Sequence, residues 1–93
     1  MTVTIAGVAF DRVTYDDDVD VLYLWDGEPR SPASDDGSPE GHYLQYGEDG
    51  ALIALTIVNA RRILERDGRI TITLPERQIE APADEVGAAL AAA

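Results

Sequence analysis

The chain has no cysteine, no lysine, one histidine and one tryptophan among its 93 residues. Without cysteine neither a disulfide nor a thiolate metal site can form, and thiolate nucleophilic catalysis is excluded. That composition suits the cytoplasm. The single histidine, His42, cannot by itself build a histidine-based transition-metal site, and it reads as an exposed residue at the start of a strand. A serine triad would have to recruit Ser31, Ser34 or Ser38 from a segment too loose to hold attack geometry. No apolar run approaches the roughly 20 residues of a membrane span. The opening MTVTIAGVAF lacks the basic segment of a signal peptide. No phosphate-binding glycine pattern occurs, because GEDG at 47–50 reads as a hairpin with no helix after it. The expectation is a protein that is not an enzyme and takes no cofactor.

Positive charge is the scarcest property. Eighteen acids face seven arginines, for a net charge of −11. The imbalance is local: residues 1–60 hold 12 acids and 2 arginines, a net of −10, whereas residues 61–77 hold 5 arginines and 3 acids, a net of +2. Such a surface repels phosphate backbones, so no direct contact with nucleic acid is expected. A basic partner protein fits better.

What is present is mainly β-pattern. VAFDRVTY (8–15), VDVLYLW (19–25), HYLQY (42–46), ALIALTIV (51–58) and RITITL (69–74) read as strands, with TVTI (2–5) a possible short addition. In the second, Val19, Val21, Tyr23 and Trp25 share one face and Leu22 and Leu24 the other. The fourth is also apolar on both faces, as strands in the middle of a sheet are. The segment 59–67 reads as a short helix with Asn59 at its N-cap and Gly68 after its end, in competition with a hairpin around Asp67-Gly68. Residues 81–93 read as a C-terminal helix, with Pro82 in its first turn, or as a frayed tail. Residues 26–41, with three prolines, three glycines and three serines, read as a mobile loop. The expected fold is therefore a single α+β domain over residues 1–80. It would hold a small antiparallel sheet of four to five strands, one short helix and the C-terminal helix.

The aspartates of YDDDVD raise the question of a cation. Asp16, Asp18 and Asp20 have the first spacings of a calcium loop, but the required glycine and glutamate positions hold Val21 and Gly27. A looser divalent-cation site on Asp16, Asp18 and Asp20 is the alternative reading. The leading one makes the acids turn-forming residues. Asp20 is set apart, because alternation puts it on the face of Leu22 and Leu24, where its carboxylate needs turn N–H groups or an arginine such as Arg12.

Two stretches together resemble a known family. YDDDVDVLYLW (15–25) carries Tyr15, Asp16, Asp20, Leu22 and Tyr23, and HYLQYGEDGALIALTIVNARRI (42–63) carries Asp49, Gly50, Ile53, Ile57, Asn59 and Ala60. The combination is similar to domain-of-unknown-function family 2283 and covers about residues 11–65. Ala54 and Thr56 stand where that family commonly has glycine and glutamate. The resemblance implies no established activity. It implies a candidate antitoxin, since some members look like partners of small toxin-like proteins encoded beside them. The residues themselves point to a small acidic binding module acting through protein–protein contacts, as a homodimer or on a small basic protein, with Tyr23 and Trp25 as its contact face.

Overall fold

The computed structural model describes residues 2–28 and 30–93. Among the described residues, nine strands and two helices run in the order β1 (Val3–Ile5), β2 (Val8–Phe10), β3 (Arg12–Asp16), β4 (Val21–Trp25), β5 (Ser34–Gly37), β6 (Tyr43–Tyr46), β7 (Leu52–Val58), α1 (Ala60–Asp67), β8 (Arg69–Thr73), β9 (Gln78–Pro82) and α2 (Ala83–Ala92). All the pairings are antiparallel. The main sheet has five strands in the order β3-β4-β7-β6-β5, and β1-β2 and β8-β9 form two separate hairpins. The α+β class is as the patterning predicts.

The strand expected over 8–15 is in fact two. At Asp11 the chain leaves β1 and joins β4, its N–H donating to the Trp25 carbonyl at 3.1 Å and its Oδ1 accepting from Gly27 N–H at 3.0 Å. The apolar strands β4 and β7 do lie inside the sheet, paired with each other along Val21–Trp25. Leu22, Leu24, Leu55, Ile57 and Leu44 turn inward and are essentially inaccessible. Over them pack Phe10, Ile70, Ile72, Ala81 and Val86, from the two hairpins and α2, closing one core.

Three departures from the patterning have physical causes. Residues 34–37 form a strand where a loop was expected: SDDG pairs with β6 through a backbone ladder, and such a ladder at a sheet edge needs no apolar side chain. Gln78–Pro82 forms a strand that the patterning does not predict, with Ile79 and Ala81 alternating inward and paired with Ile72 and Ile70. Its short length and terminal proline hide that period. His42, expected at the surface, is only 1% exposed. It shares the inward side of β6 with Leu44, as strict alternation would have shown.

The helical reading of 59–67 holds, and the hairpin does not. Gly68 terminates α1 with φ of 73°, its N–H donating to the Leu64 carbonyl at 2.8 Å. A Cβ there would meet nothing within 4 Å, so only the left-handed backbone resists substitution. Gly68→Ala should therefore cost about 1 kcal/mol, read as a loss of several degrees in Tm.

Candidate functional site

The aspartate turn is built around Asp20. Asp16 Oδ1 accepts from Asp18 N–H at 3.0 Å, a local turn that directs the chain back toward β4. Asp20 then takes a left-handed conformation, φ 58°, which aspartate tolerates. Its side chain reaches 41 residues along the chain to the start of α1, where Oδ1 accepts from Arg61 N–H at 2.8 Å and Oδ2 from Arg62 N–H at 3.1 Å. The Tyr15 hydroxyl donates to the same Oδ1 at 2.8 Å, and the Asp20 carbonyl accepts from Ala60 N–H at 3.1 Å.

Asp20 is thus the cap of α1. Asn59 occupies the N-cap position, but it is left-handed and its side chain caps nothing. Burial would raise the Asp20 carboxyl. The donors from Arg61, Tyr15 and Arg62 outweigh it and hold the carboxyl below the ordinary aspartate range, while the bond to Asp20 pushes the Tyr15 phenol up. The Arg61 guanidinium lies over the Tyr15 ring, 5.2 Å from its centroid. Arg12, the arginine suggested for Asp20, instead pairs with Glu28 at 3.3 Å, both ends exposed.

This arrangement separates the acids that the cation reading joined. Ligand oxygens of Asp16, Asp17 and Asp18 lie within 4.8 Å of one another, all three residues exposed. Asp20 is outside that group, and its oxygens are occupied. Asp49 and Gly50 shape the β6–β7 turn, where Asp49 Oδ1 accepts from Ala51 N–H at 3.0 Å and Gly50 adopts φ of 81°.

Tyr23 and Trp25 occupy the side of the sheet turned away from the core. Their rings stack, centroids 5.8 Å apart and planes inclined by 13°. Register places Tyr23 between Thr14 and Thr56, and Trp25 between Arg12 and Ala54. Val21, Val58 and the 40%-exposed Tyr43 belong to the same side. None of Val21, Tyr23, Trp25, Tyr43 or Val58 is part of the core or packs on it. Acids border this face. Asp16 lies opposite Val21, and the Asp35 carboxylate beside Tyr43 pushes that phenol up. Ala54 and Thr56, the departures from the family pattern, are the residues paired with Trp25 and Tyr23.

Sequence reasoning missed two polar anchors. Glu40 accepts from Thr73 N–H at 2.9 Å and from the Thr73 hydroxyl at 2.6 Å, tying the end of the 26–41 segment to β8. Burial would raise its carboxyl; these bonds hold it below the usual range. His42 Nδ1 accepts from Val58 N–H at 3.2 Å, and Ser38 Oγ accepts from His42 N–H at 3.1 Å. Glu40 carries no signal in the sequence. His42 carries one, its alternation with Leu44.

Among the described residues, no helix is long and apolar enough to cross a membrane. Comparison with curated proteins and with solved structures finds no match. A family model does match, over residues 12–61, the span that holds the Asp20 cap and the aromatic face. The chain therefore belongs to the family described as protein of unknown function, DUF2283.

Proposed function

We propose that the protein is a non-catalytic binding module that presents the outer face of its five-stranded sheet to a basic protein. The observation that carries this is the half-exposed apolar strip of Val21, Tyr23, Trp25, Val58 and Tyr43, which contributes nothing to the core. Aromatic residues in a contiguous apolar patch with a polar border are the usual makings of an interface. The border here is acidic. A second copy of the same face would bring its bordering acids, Asp16 and Asp35 among them, against their own copies, whereas a basic partner would be attracted and steered toward it. An antitoxin acting on a small basic toxin in the cytoplasm is the biological form that best matches this chemistry. Sedimentation should show a monomer at about 0.15 M salt, where surface charges still act over roughly 8 Å. A stable dimer under that condition would make self-association the function instead.

The cation reading has one observation in its favour, the closeness of Asp16, Asp17 and Asp18. Against it, the triad is exposed, Asp16 Oδ1 already accepts a backbone bond, and three like charges held only by a turn offer little preorganisation. Calcium or magnesium should therefore leave Tm unchanged and give no stoichiometric heat in calorimetry. Saturable heat, lost in Asp16→Asn, would favour the cation reading.

A further inference from the structure

His42 stands out because nothing in the proposed function uses it. It is a buried titratable ring just before β6, facing inward with Leu44 where β6, the end of β7 and α1 meet. Because Val58 N–H donates to Nδ1, the Nδ1 lone pair must be free to accept, and in the neutral ring the proton sits on Nε2. Nε2 is buried and has no partner among the described residues. A metal on Nε2 would require the ring proton on Nδ1, at the cost of the Val58 bond.

A cavity of about 200 Å³ adjoins the ring, walled by Glu40, His42, Ile63, Arg66, Asp67 and Thr71. The charges facing the ring are therefore Glu40 from the loop and Arg66 and Asp67 from α1, with only uncharged Thr71 contributed by β8. Arg66 and Asp67 are bound to each other by two bonds of 2.9 Å. Glu40 is held by Thr73.

We infer that His42 is an acid-sensitive lock, which joins β6 to the end of β7 while its ring is neutral and releases that junction when the ring takes a second proton. Protonation would put an Nδ1–H directly against Val58 N–H, two donors with no acceptor between them. Burial already holds the ring below its ordinary range, only partly offset by Glu40. The folded state therefore binds fewer protons than the unfolded chain. Its stability is complete above the ordinary histidine value near 6.5 and is lost as pH falls from there through the folded value. Val58 and Tyr43 lie on the outer face, so opening this junction would also disturb the docking surface. That consequence rests on the proposed function; the lock itself does not.

Two measurements test the lock without any partner. In ¹⁵N NMR of the wild-type protein, the ring should hold its proton on Nε2 at neutral pH and titrate below 6.5, with the Val58 amide shifting in step. In thermal melts, His42→Asn supplies an oxygen where Nδ1 sits and cannot titrate. Between about pH 7.5 and about pH 5, wild-type Tm should fall by roughly 5 °C more than that of the variant, a change of the size expected for about one proton's linkage in so small a domain. Equal slopes, a proton on Nδ1, or a Val58 amide indifferent to the ring's titration would each overturn the inference. If partner binding fails while these results hold, only the docking reading is lost.

Discussion

Asp20→Ala should lower the unfolding free energy by about 3 kcal/mol and Tm by about 15 °C, the largest effect expected of any surface substitution in this chain. The mutation leaves the Arg61 and Arg62 N–H groups and the Tyr15 hydroxyl without their acceptor, and puts alanine at a φ of 58°. Loss of an ordinary cap costs about 1 kcal/mol, and the charge-assisted bonds and the backbone conformation account for the rest. Asp20→Asn keeps an acceptor and tolerates the left-handed backbone, so it should cost about half as much. Asn59→Ala, at the position that looks like the cap in the sequence, should lose no capping bond and cost only the strain of alanine at a φ of 60°, about 1 kcal/mol. The Asp20 carboxyl titrates lower in the fold than in the unfolded chain. Its contribution is therefore intact above about 3.8 and disappears as pH falls below that value. Denaturant melts of the three variants, with the wild type followed from neutral pH down to acid, check the whole set. An Asn59 variant as damaging as the Asp20 variant would contradict the assignment of the cap.

The second large effect is on association. Replacing both Tyr23 and Trp25 by threonine should weaken partner binding by roughly 100-fold or more while preserving the fold. Threonine keeps the strand propensity of β4, and neither ring touches the core, so the loss in Tm should be small beside that of Asp20→Ala. Aromatic residues at the centre of an interface typically carry about 2 kcal/mol or more each when truncated, though not additively. Glu80→Ala, an exposed change on β9 in a different sheet, should leave binding unaltered. Binding isotherms and melts measured on the same preparations separate loss of contact from loss of structure.

These two predictions differ in how far the sequence could support them. The aromatic face was legible, because Val21, Tyr23 and Trp25 alternate with Leu22 and Leu24 and alternation fixes which residues share a side. The need of Asp20 for partners was legible for the same reason. Their identity was not, since a backbone N–H has no sequence signature and Arg61 is 41 residues away. Asn59 has the residue type of a cap, but its own left-handed backbone leaves its side chain capping nothing. β5 escaped notice because an edge strand can be specified by backbone pairing, with Asp35 and Asp36 exposed. The short helix is legible in the adjacency of Ile63 and Leu64, a spacing that suits a helix face and breaks the alternation of a strand. Within the family pattern, the structure assigns Tyr15, Asp20 and Leu22 to holding β3, β4 and α1 together. Tyr23 looks outward, and Asp16 lies at the border of the same face.

The central claim is that the outer face of the sheet receives a basic protein. The most direct test passes lysate of the source cells over immobilised wild-type protein and, in parallel, over the Tyr23→Thr/Trp25→Thr protein, followed by elution with rising salt. The account predicts one basic protein retained in stoichiometric amount by the wild type, released as salt screens the acidic border, and absent from the double variant. No retained protein, or one held equally by both columns, would contradict it.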